Sequence, residues 1–193
     1  MLSASRGTIT ANGVDASELT LALTDVNGNP VTGAAVAFET VLTNTAFSAV
    51  AENAGVYTAR MSGTTAGSAT VSVTVNGAPL AVKPVTVLLT ADSSRLSGAS
   101  VLSASRGTIT ANGVDASELT LALTDVNGNP VTGAAVAFET VLTNTAFSAV
   151  AENAGVYTAR MSGTTAGSAA VSVTVNGAPL AVKPVTVLLT ADS

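Results

Sequence analysis

Histidine and cysteine are absent from all 193 residues, which removes the commonest general base, the strongest thiol nucleophile and two of the usual transition-metal ligands. What remains is a handful of carboxylates, five arginines and two lysines. A hydroxyl activated by Lys83 or Lys183 is the one nucleophile that could be built. Each of these lysines precedes a proline, Pro84 or Pro184, where a lysine reads as a solvated charge that discourages strand addition. Asp15 and Glu18 could serve as an acid pair, but their setting reads as a turn aspartate and a solvated strand residue. With no nucleophile, base and oxyanion donors to assemble, the sequence argues against an enzyme and offers no catalytic or cofactor-binding residue.

Calcium is the remaining chemistry to weigh. Asp25-x-Asn27-x-Asn29 opens like a calcium loop, yet Pro30 stands where that loop needs Gly and Val36 where it needs a bidentate Glu. The EF-hand reading therefore fails. A looser arrangement is conceivable at the junction of two domains, where Asp92 would approach Asn127, Asn129 and Glu152. The competing expectation is a hydrogen-bonded hinge of Asp92, Ser94, Arg95 and Leu96, in which Arg95 pairs with Asp15 or Glu152. Such an exposed pair is worth about 0.5 kcal/mol, so the junction is assigned a structural role with no metal and no cofactor.

The junction exists because the chain repeats itself. Residues 2–93 recur at 102–193 with a single difference, Thr70 against Ala170. The expected organisation is a first domain over 1–93, a short linker leading into a strand over 94–101, and a second domain over 102–193. Faithful copying favours length and multiplicity over a unique pocket. Met1 replaces the second copy's Val101, as expected of an initiator methionine on an excised segment. The net charge of −5 gives no footprint for nucleic acid. No apolar stretch approaches the roughly 20 residues of a membrane-spanning helix, so no membrane insertion is expected of this segment.

Period-two alternation runs through each copy and predicts strands rather than helices. Leu19, Leu21 and Leu23 share one face of a strand that ends in the turn Asp25–Pro30. Val36 and Phe38 point inward on the next strand, and Phe47–Val50 makes a short one before Ala54-Gly55. Tyr57, Ala59 and Met61, then Val71, Val73 and Val75, complete the inward sets, and Asn76-Gly77 marks a hairpin. Apolar parity changes between Leu80 and Val85, which predicts a β-bulge at Lys83-Pro84 in an edge strand. About seven short strands per copy fit an all-β Greek-key sandwich of immunoglobulin type, with an up-and-down barrel as the weaker alternative. Thr70 falls on an outward face.

Ala11-Asn12-Gly13-Val14-Asp15-Ala16, Thr24-Asp25-Val26-Asn27-Gly28-Asn29-Pro30-Val31, Gly55-Val56-Tyr57-Thr58-Ala59 and Val73-Thr74-Val75-Asn76-Gly77 resemble the group 1 bacterial immunoglobulin-like repeat, over nearly the whole chain and twice. That repeat typifies the invasin and intimin adhesins, in which an outer-membrane β-barrel displays a stalk of tandem domains with an adhesive tip. The resemblance implies an extracellular, cell-surface location and a role in attachment. Nothing matches the lectin-like tip.

Two functions follow as expectations. The first is a monomeric, semi-rigid stalk segment whose partners are the neighbouring repeats of its own chain, two sandwiches in line spanning roughly 80 Å. The second is a repeat that itself adheres, to a host protein or to copies on a neighbouring cell, through weak contacts multiplied by avidity.

Overall fold

The alternation of apolar and polar residues becomes strand throughout the computed structural model, which describes residues 1–97 and 99–192. The chain divides into two compact units, Met1–Asp92 and Ser93–Ser193. The first contains ten strands among its described residues: β1 Leu2–Ala4, β2 Thr8–Thr10, β3 Ser17–Ala22, β4 Val36–Glu39, β5 Thr45–Phe47, β6 Ala51–Asn53, β7 Val56–Gly63, β8 Gly67–Val75, β9 Ala78–Pro79 and β10 Val85–Thr90. The second unit repeats them in order, from β11 Val101–Ala104 to β20 Val185–Thr190.

In the first unit one sheet runs β1-β3-β7-β5, with β6 also on β7; the other runs β2-β10-β8-β4, with β9 also on β8. All pairings are antiparallel except β2 with β10, which is parallel. Pairing β3 with β7 across the intervening β4 to β6 is the Greek-key crossover that makes this an immunoglobulin-type sandwich. The barrel alternative is excluded by the two separate sheets. Between them lie Leu19 and Leu21 of β3, Tyr57, Ala59 and Met61 of β7, Val71 and Val73 of β8, and Val87 and Leu89 of β10, all buried. Each fully buried Leu or Val contributes about 1.5–3 kcal/mol. The outward set includes Thr70 and Ala170, both exposed, so the one difference between copies leaves the core untouched.

Three local expectations change. The strand expected over 47–50 is two pieces, β5 and β6, both registered on β7 with Phe47 opposite Met61 and Ala51 opposite Thr58. The bulge at Lys83-Pro84 is a longer interruption: β9 and β10 are separated by residues 80–84, where the Val82 amide turns back to the Leu80 carbonyl at 2.9 Å. Two successive parity-breaking residues, one of them without an amide proton, cannot be absorbed by one extra residue in the ladder. Nor is β10 an edge strand, because β2 covers its second half, Leu88–Thr90. The Asn76-Gly77 hairpin is as expected, with both residues at positive φ (51° and 83°), the signature of a type I′ turn.

Candidate functional site

The residues that could do chemistry are distributed, and each has a structural occupation. Asp15 and Arg6 form a bidentate ion pair: Arg6 Nη1 donates to Oδ1, while Nη2 and the Thr10 amide donate to Oδ2 at 3.2 and 2.8 Å. These donors, the Arg6 guanidinium first and the Thr10 amide second, lower the Asp15 carboxyl to about 2 from an ordinary 3.8. Asp15 thus pairs with Arg6 of its own unit. Glu18 lies opposite Arg60 in the β3–β7 register, whereas Asp15 is held by Arg6. Asp15 and Glu18 do not converge. The copy at Arg106 and Asp115 repeats the pairing and the shift to about 2.

The calcium-like pattern is a self-capped turn. Asp25 Oδ1 accepts the Asn27 and Asn29 amides, each at 2.9 Å, and Oδ2 accepts Asn29 Nδ2 at 3.1 Å. The Asn29 amide and then its side chain hold the Asp25 carboxyl below its usual range. The oxygens that would face a cation face amide protons instead. Among the described residues no group of three or more His, Cys, Asp or Glu side chains could hold a metal ion. Glu152, expected at the junction, accepts from the Gly155 and Gly133 amides at 3.0 and 3.4 Å. Asn127 and Asn129 donate to Asp125. Asp92 and Ser94 belong to the segment that follows β10.

Lys183 shares a shallow surface groove with Ser100, together with Val101, Leu102 and Pro184. That Ser–Lys arrangement is taken up structurally: Ser100 Oγ accepts the Thr124 amide at 3.1 Å and donates to the Thr124 carbonyl at 3.4 Å. The hydroxyl proton has its partner in the Thr124 carbonyl.

The turn after β3 carries a polar network in each unit. Its far side is held by a tyrosine: the Tyr57 hydroxyl donates to the Val31 carbonyl at 2.8 Å and accepts the Ala34 amide at 3.1 Å. Tyr57 is buried against the sandwich core, so its ring anchors β7 while its hydroxyl fixes the 31–34 backbone. Sequence reading placed the ring inward and missed the hydroxyl's work, although a buried phenol in an otherwise aliphatic core must find a partner. Gly55 completes the turn. A Cβ there would lie 2.7 Å from Pro30 Cβ, and its φ is +85°.

In the second unit the near side of this turn is occupied as well. Ahead of β11, the Arg95 carbonyl accepts the Val126 amide at 2.9 Å, the Ser97 amide donates to the Thr124 carbonyl at 2.8 Å, and Leu96 bridges Asp125. With the two Ser100 bonds, the linker segment becomes part of the second unit's sheet edge. Its hydroxyls and backbone complete a ladder that β11 continues against β13 (Ser117–Ala122), with Val101 opposite Ala122.

Comparison with known proteins gives a consistent result. The family described as invasin, domain 3 matches residues 1–92 and again 97–192. InvD of Yersinia pseudotuberculosis is similar over 100% of this chain at 36% identity with a TM-score of 0.81, this chain covering 57% of it. Invasin, titled a bacterial integrin-binding protein, is similar over 99% at 32% identity with a TM-score of 0.81, this chain covering 40% of it. The Escherichia coli adhesin FdeC is similar over 98% at 26% identity with a TM-score of 0.67, this chain covering 63% of it. The chain thus spans about half of the first two structures it resembles.

Proposed function

Because the chain belongs to the invasin domain 3 family of immunoglobulin-like adhesin repeats, a non-enzymatic family, we propose that its two units are consecutive segments of a stalk on a bacterial surface. Their task is to carry an adhesive part of the same protein outward. The observation that carries this reading is the fate of the linker. Arg95, Ser97 and Ser100 are hydrogen-bonded into the second unit, so only residues 91–94 lie between the end of β10 at Thr90 and the first of these bonds. A four-residue connection reaches at most about 14 Å, too short to act as a free tether.

A second observation disfavours adhesion through the sheets themselves. The outermost strands β1, β2, β4, β5 and β6 are three or four residues long, and short edge strands resist edge-to-edge addition. The outward residues are mainly Thr, Ser and Ala, with few of the Trp, Tyr and Arg anchors of binding hot spots. Integrin binding belongs to invasin itself; the stalk reading assigns these two units no receptor contact.

Small-angle X-ray scattering over a dilution series tests the proposal. A concentration-independent maximum dimension of about 80 Å or more, unchanged by calcium or by a chelator, is the expected result. A compact particle, or a dimension that grows with concentration, would overturn it in favour of a repeat that adheres to its own kind.

A further inference from the structure

The chain enters each unit through its first strands and leaves through its last, and these two ends are bonded to each other. β2 lies parallel to β10, with Thr8, Ile9 and Thr10 opposite Leu88, Leu89 and Thr90. The Leu88 amide donates to the Gly7 carbonyl at 2.9 Å, and the Ala11 amide to the Thr90 carbonyl at 2.8 Å. The Thr90 hydroxyl adds a bond to the Ile9 carbonyl at 3.4 Å. Parallel order fixes how tension acts on this pair. Force on the amino terminus, once past β1, draws β2 back from its first residue, while force on the carboxyl terminus draws β10 forward from its last. The strands are therefore sheared along their length and their bonds are loaded together, whereas strands pulled apart from one end lose their bonds one at a time. β10 is held on its other side by β8, which leaves β2 as the strand that must slide.

A three-residue edge strand has little hold of its own, yet β2 is anchored at both ends by side chains. Ahead of it, the buried Ser17 hydroxyl donates to the Arg6 carbonyl at 2.7 Å and accepts the Arg6 amide at 3.1 Å. Asp15 takes the Arg6 guanidinium and, at the far end of the strand, the Thr10 amide at 2.8 Å. One carboxylate thus grips both the segment that leads into β2 and the strand's last residue. The ion pair is partly exposed to solvent, and such pairs add little to equilibrium stability. Forced unfolding is set instead by the unfolding rate, so a bond that must break before the strands slide raises resistance to force beyond its equilibrium worth. The second unit repeats the parallel pair, the Ser117 bond and the Asp115 grip on Arg106 and Thr110. We infer that β2 and β10 form a tension-bearing clamp in each unit and that Asp15, with Arg6, is its latch. The clamp lets a unit transmit a pull along the chain without unfolding. This deepens the stalk reading and rests on it for the source of the tension, though not for the mechanics.

Single-molecule force spectroscopy on the full two-unit chain tests it. Pulled through its termini, the chain should show one rupture per unit, each releasing about 300 Å of chain. The absence of native cysteine allows a second pulling axis. Gly7→Cys with Lys83→Cys attaches both handles at exposed positions just ahead of β2 and β10, so that the pair opens from one end. The first unit's rupture force should then fall to about half or less of its value through the termini. Asp15→Ala in the first unit, pulled through the termini, should lower one of the two ruptures by about a third or more. Asp25→Ala is the control, because it removes a carboxylate that accepts two amides in the turn after β3, outside the β2–β10 pair. It should lower the urea midpoint and leave the rupture force within about a tenth of the parent's. Equal forces along the two axes would overturn the clamp, and an Asp15→Ala effect no larger than that of Asp25→Ala would overturn the latch. A scattering result that contradicts the stalk leaves both force comparisons as they are, so the two readings fail separately.

Discussion

Removing the tyrosine hydroxyl that pins the 31–34 backbone should destabilise each unit far more than its single-atom size suggests. Tyr57→Phe keeps the buried ring but deletes a bond donated to the Val31 carbonyl at 2.8 Å and one accepted from the Ala34 amide at 3.1 Å. Each bond contributes about 0.5–1.5 kcal/mol net, and leaving the two backbone groups partnerless moves the total towards the upper end, to about 2 kcal/mol. For a domain of this size that corresponds to a fall in Tm of roughly 8–16 °C. Tyr157 makes the same bonds, with its contact to the Val131 carbonyl buried rather than partly exposed, so Tyr157→Phe should cost at least as much. Urea titration of the two-unit chain, monitored by far-ultraviolet dichroism, measures both. The double variant should shift the whole transition and the single variants about half of its amplitude. A double variant within about 0.5 kcal/mol of the parent would refute the argument that the hydroxyl, rather than the ring, fixes the turn.

Gly55→Ala should destabilise the first unit by about 2 kcal/mol or more, because it combines left-handed strain with a 2.7 Å approach to Pro30 Cβ; Gly28→Ala, at φ +84° with nothing within 4 Å, should cost only the strain of about 1 kcal/mol, and the difference in urea midpoints isolates the Pro30 contact. Asp15 has a folded pKa of about 2 against an ordinary 3.8, so its contribution is present above about pH 4 and is lost as the pH falls towards 2. Thermal midpoints should decline across that window, and Asp15→Asn with Asp115→Asn should flatten the decline. Thr70→Ala should move the first unit's stability by less than about 0.5 kcal/mol. It removes one outward residue opposite Thr86 and reproduces what the second unit already carries at Ala170.

Where a single physical rule governs a segment, the fold was legible in the sequence. Leu19 and Leu21, Tyr57 to Met61, and Val71 and Val73 alternate because one face of each strand meets the opposing sheet, and all are buried as expected. The hairpin at Asn76-Gly77 was legible because positive φ at two successive residues leaves few other turns. The break over 80–84 was misjudged because local parity records that pairing fails without recording how many residues leave the ladder. The division of the strand expected over 47–50 into β5 and β6 left no pattern to read, since all of β6 is exposed.

The site was less legible than the fold. Asp25 and Glu152 attract notice as potential ligands and Asp15 as half of an acid pair, but their partners are the Asn27 and Asn29 amides, the Gly155 and Gly133 amides, and Arg6. Such short-range capping is chemically indistinguishable in sequence from a half-built metal loop. The linker was expected to lead into a strand. Its bonds to Thr124 and Val126 depend on contacts 24 to 31 residues away, and periodicity carries no record of them.

The absence of cysteine makes the most direct test of the stalk account simple. Thr70→Cys and Ala170→Cys place one spin label on an outward face of each unit, where neither side chain contributes to a core, and double electron–electron resonance reads the distribution of distances between them. A connection of only four residues, 91–94, predicts one narrow distribution, unchanged by dilution. A broad distribution of the kind a flexible tether produces would contradict the claim that these repeats act as a shaft.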